Sequence, residues 1–262
     1  MPNRRRWLSI GIAAWILVLA GAGVWAARHG AATVPEQRTA SQERPAVDRV
    51  VREAVTAAGP QVAVSIGGYE RLETCRITQA RDGVRYERRA YLYVAPAGER
   101  ALLDRIAAGL PGSYRPTVFA PPTSPPILTA DTAAPDFVKV EATRDGDGRI
   151  RLGARTGCVQ SDQWQEMETP ADGPARDALD RMAAALDGPP TDLRAVAITR
   201  FRTITATTAA SGPLGDRVAK ALPAGAVVVV NQPDLVAWYA GSLSGAAERR
   251  DGKVTVTATE VR

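Results

Sequence analysis

The chain has 262 residues, 45% of them hydrophobic and 23% charged, a balance that excludes a disordered polymer and is enough for one large or two small cores. Its formal charge of +5 is an end effect: without Arg4, Arg5 and Arg6 the remainder carries 30 basic and 28 acidic residues. Such a nearly neutral surface of mixed signs excludes the electrostatic footprint of a nucleic-acid binder.

Residues 7–27 form an uncharged apolar run, bounded by Arg6 and Arg28 and carrying Trp7 and Trp25 near its ends. As a helix it would reach about 30 Å, the depth of a bilayer's hydrocarbon core. The expectation is a transmembrane helix with a basic cytoplasmic tail at 1–6 and everything later outside, since the excess positive charge precedes the span. A cleaved signal peptide is the rival, but its apolar stretch is usually only about 7–15 residues. Both readings place the bulk of the chain outside the cytoplasm, at the cell envelope.

Residues 28–45 read as a linker, without apolar period and holding Pro35 and Pro45. A first α+β unit is expected over 46–159. Val47, Val50, Val51, Ala54, Val55 and Ala58 recur at helical spacing, and Gly59-Pro60 stops the pattern. Strands are expected at 61–66, 74–79 and 84–94, the last two joined by an Asp82-Gly83 turn. A second helix is expected near 98–110 and a short strand at 115–119. Pro121, Pro122, Pro125, Pro126 and Pro135 then mark residues 120–135 as a loop without regular structure. A hairpin over 137–143 and 149–155, turned by Asp145-Gly146-Asp147-Gly148, completes the unit.

Residues 160–173 read as a polar connector, and 174–262 as a second α+β unit. Its helices are expected at 174–186 and from Ser211 to Leu222, its strands at 193–199, 202–208, 226–231, 235–242 and 253–261. The halves echo each other. Ala107-Ala108-Gly109-Leu110-Pro111 is like Ala219-Lys220-Ala221-Leu222-Pro223, and Arg144–Ile150 is like Arg249–Val254. The predicted fold class is therefore α+β: the N-terminal transmembrane helix, then two similar units of helices packed on mostly antiparallel sheets.

Cys75 and Cys158 are the only two cysteines, and outside the cytoplasm they predict a disulfide. The one histidine, His29, lies in the linker, which removes Ser-His, Cys-His and His-metal chemistry. No residue set predicts a cofactor or a metal. Glu166 and Glu168 form an acidic pair, read as part of a solvated connector. Trp164, set among polar residues, and the Pro125-Pro126 loop are the candidate contact points. Together these features predict a non-catalytic, membrane-anchored extracytoplasmic module engaging an envelope protein or glycan. The alternatives are a carboxylate-dependent hydrolase of envelope polymers and a structural subunit of a membrane complex.

Overall fold

The computed structural model describes residues 3–29, 38–78, 81–133, 136–162, 166 and 169–262. The chain divides into a segment ending at Val34 and a body beginning at Pro35. The first segment holds helix α1 (Asn3–His29), whose side chains are described from residue 11 to residue 25. Ile12, Trp15, Ile16, Leu17, Val18 and Leu19 are all exposed on it. The span expected at 7–27 falls inside this helix, yet among the described residues no helix is long and apolar enough to cross a membrane.

The body is α+β with two six-stranded antiparallel sheets. Its first half runs α2 (Ala40–Ala58), β1 (Ala63–Thr78), β2 (Arg81–Tyr93), α3 (Glu99–Gly109), β3 (Thr117–Phe119), β4 (Ile127–Asp131), β5 (Lys139–Arg144) and β6 (Arg149–Arg155). Its second half runs α4 (Gly173–Ala185), β7 (Thr191–Ile198), β8 (Phe201–Thr208), α5 (Gly215–Ala219), β9 (Val227–Gln232), β10 (Leu235–Ala240), β11 (Leu243–Arg250) and β12 (Lys253–Val261). The strand orders are β1-β2-β6-β5-β4-β3 and β7-β8-β12-β11-β10-β9, the same sequence of moves in each half.

In each sheet one face carries helices. The valine stripe of α2 is fully buried with Leu102, Leu103 and Ile106 of α3 against Leu92, Leu128, Ile150 and Leu152. Each fully buried valine contributes about 1.5–3 kcal/mol of transfer free energy before chain entropy is set against it, so Val51→Asp would break this seam. In the second sheet, Leu179 and Met182 of α4 pack on Ile204, Val256 and the fully buried Trp238.

The sheets meet edge on face. The outer edge of β1 abuts the helix-free face of the second sheet, and hydroxyls complete its backbone hydrogen bonding. Val64 N–H donates to Ser244 Oγ at 3.1 Å and Ile66 N–H to Thr203 Oγ1 at 3.2 Å. Ser244 and Thr259 hydroxyls donate to the Val64 carbonyl at 3.2 and 2.7 Å. A strand edge that would otherwise be open is thereby satisfied.

Several expectations are corrected. Helix α2 starts at Ala40, inside the stretch expected as linker, because Thr39 and Gln42 form a reciprocal capping box that outweighs Pro45. The strands expected at 61–66 and 74–79 are one strand, β1, which absorbs Gly67-Gly68 as a bulge. Asp82 and Gly83 lie within β2, opposite Arg76 and Cys75, not in a turn. A Cβ on Gly83 would meet Ile77 and the Val159 carbonyl at 2.7 Å, so this glycine serves close packing. Strand β4 forms inside the stretch expected to lack regular structure, since Pro125-Pro126 ends just before it. Helix α5 is shorter than expected, because Leu214 N–H is tied to the Pro233 carbonyl rather than to a preceding helical turn. The strand expected at 226–231 forms at the edge of its sheet, with Val227 and Val228 exposed. Strand β11 was not foreseen, for its core Ser-Gly-Ala-Ala has little intrinsic β preference.

Candidate functional site

The bulge at Gly67-Gly68 turns the middle of β1 toward β7 and the connector. A cleft of about 610 Å³ opens there, with Ile66, Tyr69, Glu166, Thr169, Arg194 and Val196 among its walls. Gly68 lets Glu166 approach: a Cβ at that position would lie 2.6 Å from Glu166 Oε2. Tyr69 N–H donates to the same oxygen at 3.1 Å.

Beneath the cleft lies a buried ionic cluster. Arg88 of β2 is fully buried on the helix-bearing face. Its guanidinium pairs with Asp48 of α2 at 3.0 Å and with Glu166, and stacks 4.2 Å from the centroid of the Tyr69 ring. The Tyr69 hydroxyl donates to Asp48 Oδ1 at 2.7 Å and lies 3.1 Å from the Arg44 carbonyl. Burial lowers the Arg88 pKa against the opposing pull of Asp48. Burial, reinforced by the Asp48 charge, raises that of Tyr69 well above the ordinary phenol range. Tyr69 therefore acts here as a hydrogen-bond donor and not as a base. Thr169, Thr205 and exposed Arg194 also line the cleft, and among the described residues none of the three side chains has a hydrogen-bond or ion-pair partner.

A strap leads from β6 toward this cluster. Cys158 is joined to Cys75 of β1, with Cα atoms 6.0 Å apart and a separation of 83 in sequence. Val159 exchanges backbone hydrogen bonds with Val84 at 2.9 and 3.1 Å. Gln160 N–H donates to the Arg38 carbonyl at 2.9 Å, and its own carbonyl accepts from Ala40 at 3.2 Å. Asp162 Oδ2 then accepts from the Ser41 N–H at 3.1 Å and the Ser41 hydroxyl at 2.5 Å. Burial works against ionisation of Asp162, but these bonds outweigh it and hold the carboxyl below its ordinary range. Nearby Glu43 shows the opposite outcome: burial raises its pKa, only partly countered by Arg38 at 3.0 Å.

The predicted disulfide between Cys75 and Cys158 is present. Trp164 and Glu168 lie outside the described residues. Pro125 is exposed and Pro126 half-buried, between β3 and β4 at the opposite edge of the first sheet from β1, so the structure does not bring them to the cleft. Glu166, expected as part of a solvated connector, is instead engaged by Arg88 and Tyr69. The Asp145–Gly148 turn forms, its carboxylates paired with Arg144, Arg149 and Arg250. Among the described residues no group of three or more His, Cys, Asp or Glu side chains is placed to hold a metal ion.

Sequence reasoning missed Arg88, although a signal was present. Positions 84, 86, 90, 92 and 94 share an apolar or aromatic face, and Arg88 interrupts that face at an inward position. Gly67-Gly68 inside an apolar strand pattern was the second signal.

No family profile matches the chain, and no curated protein does. Among solved structures it is similar to a DUF4853 family protein from Actinomyces odontolyticus, 14% identical, over 52% of this chain and 73% of that one, with a TM-score of 0.33. Fainter likenesses are to the di-domain ARO/CYC StfQ from the steffimycin biosynthetic pathway and to MucB in complex with MucA(peri). The first is 13% identical over 83% of this chain and 80% of that one, with a TM-score of 0.17. The second is 10% identical over 82% and 94%, with a TM-score of 0.15.

Proposed function

We propose that the chain is a non-catalytic binding module, anchored in the membrane through residues 7–27 and exposed outside the cytoplasm, which takes an envelope protein or glycan in the cleft between its sheets. The carrying observation is the cleft's construction. Its walls come from β1, the connector and β7, while the charged groups beneath it are committed to one another. Arg194 and the threonine hydroxyls remain for recognition, an arrangement suited to holding a ligand. A hydrolase would need two carboxylates free to face a substrate, whereas Glu166 is engaged from two sides.

The reading of two similar units is supported by the shared strand order. The paired sequence matches also fall at equivalent places: after α3 and α5, and in the β5–β6 and β11–β12 turns. The disulfide supports an oxidising compartment. The uncharged run within α1, with exposed Trp15, Leu17 and Leu19, supports the anchor.

The test places a photoreactive side chain at Leu193 in the cleft and, as control, at Thr129 on the helix-free face of the first sheet, in the full chain in its native membrane. The expected result is resistance to alkaline extraction, and a discrete envelope adduct from position 193 that Arg194→Glu abolishes. Release by alkali, or identical adducts from both positions, would overturn the proposal.

A further inference from the structure

A second cavity, of about 480 Å³, lies where the C-terminal end of α2 meets the β7–β8 and β10–β11 turns. Its lining is mostly apolar, with Val55, Val62, Phe201, Leu243 and Val261 beside half-buried Tyr239. It adjoins two other hollows. Thr56 and Arg200 are shared with one of about 570 Å³ beside α3, and Ser242, Leu243 and Val261 with one of about 410 Å³ at the start of α4.

The charges around these hollows are nearly all answered. Arg202 pairs with Asp172 and with Glu260 at 2.9 Å, and Arg262 with Glu260 at 2.6 Å. Arg52 faces Glu53 at 3.5 Å, and Arg105 donates to the terminal Ala58 carbonyl of α2 at 3.0 Å. Arg200 differs. Among the described residues no carboxylate pairs with it. Two contacts nevertheless fix it at the mouth of the cavity: its guanidinium lies 5.2 Å from the Phe201 ring centroid, and Nη2 donates to Thr56 Oγ1 at 3.1 Å. A cation held over an apolar hollow is complementary to one kind of molecule.

We infer that this cavity binds a small anionic amphiphile, its apolar ring or chain against Val55, Val62, Leu243 and Val261 and its carboxylate on Arg200. The carboxylate gains charge-assisted hydrogen bonds from a guanidinium with no competing acid, and the apolar body leaves water. Both parts are needed together, since an exposed arginine alone holds an anion weakly in water. The site is separate from the inter-sheet cleft and shares no lining residue with it.

The probes are 4-phenylbutyrate, 4-phenylbutanol and acetate, titrated calorimetrically into the full chain in lipid nanodiscs with empty nanodiscs as blank. Phenylbutyrate is expected to bind at least tenfold more tightly than phenylbutanol, and acetate not measurably. Arg200→Gln should remove that difference, Arg200→Lys should retain part of it, and Leu243→Trp should fill the hollow and abolish binding of both aromatic probes. Lys139→Gln, exposed on β5 of the first sheet and lining neither cavity, should leave phenylbutyrate binding unaltered. Unaltered circular dichroism of each variant separates these effects from misfolding. The inference is overturned if phenylbutyrate fails to bind at millimolar concentration, if the alcohol binds as well as the acid, if the difference survives Arg200→Gln, or if Lys139→Gln removes it.

Discussion

A guanidinium taken fully out of water costs several kcal/mol unless its charge is answered at close range. Arg88 is answered by Asp48, Glu166 and the face of Tyr69, so removing one partner exposes that cost. Glu166→Ala is expected to lower unfolding free energy by about 1.5–3 kcal/mol, the usual loss for a hydrogen bond to a charged group, as read from urea denaturation. Gly68→Ala should act in the same direction by displacing the same carboxylate. The Asp162 latch makes a pH prediction. Its folded pKa is depressed, so its contribution is fully present above the unfolded carboxyl value of 3.8. That contribution is lost as pH falls through the lower, folded value. Protection of the Ser41 amide, taken against its intrinsic exchange rate at each pH, should therefore hold at pH 5 and fall only below about pH 3.8, and Asp162→Asn should lower it at both. At this scale the sequence was partly readable. Arg88 stood as a charge in phase with an apolar face, but nothing local to Glu166 pointed across the chain to it, since their proximity is created by the bulge and the connector.

Elements were legible where one period ran unbroken. The stripes of α2, α3 and α4, and the hairpins β5–β6 and β7–β8, follow from apolar spacing and turn residues alone. The failures share a cause. Gly67-Gly68 and Asp82-Gly83 are turn-forming locally, yet both are overridden by pairing along the β1–β2 ribbon, where Gly83 must admit Ile77 and the strap. Strand β11 is held by β10 and β12 on either side and needs little propensity of its own. The disulfide acts at this level too, because it fastens the far end of β1 to the strap that carries Gln160 and Asp162. The double substitution Cys75→Ser with Cys158→Ser should cost about 4–5 kcal/mol on the loop-closure argument. The first amides to lose exchange protection should be those of Ala40 and Ser41, ahead of the centres of β2 and β6. Uniform loss across the body would show that the strap and the start of α2 are not a separable unit.

At the scale of the whole molecule, the repetition of one strand order was foreshadowed by the short matches ending in Leu110-Pro111 and Leu222-Pro223. How the halves dock was not. That contact depends on Thr203, Ser244 and Thr259, hydroxyls spaced along three strands that say nothing individually about a distant backbone. Thr203→Val and Thr259→Val should each cost about 1–3 kcal/mol by leaving a buried peptide group short of a partner. Thr143→Val, on the solvent side of β5, should cost well under that, and thermal unfolding of the three variants checks the ranking.

The docking is also head-to-tail. β7 holds in its sheet the place that β1 holds in the first, so a third copy, or another molecule, has an equivalent edge and an equivalent face on offer. Heterologous contacts of this kind do not close and can propagate into filaments. Both ends are blocked here. β7 follows Pro189-Pro190 and exposes Asp192 and Arg194, and the corresponding face of the first sheet carries the charged Arg89, Arg155 and Glu141. Charge at an edge is a recognised guard against such growth. Charge at these two places thus opposes the addition of another copy to either sheet.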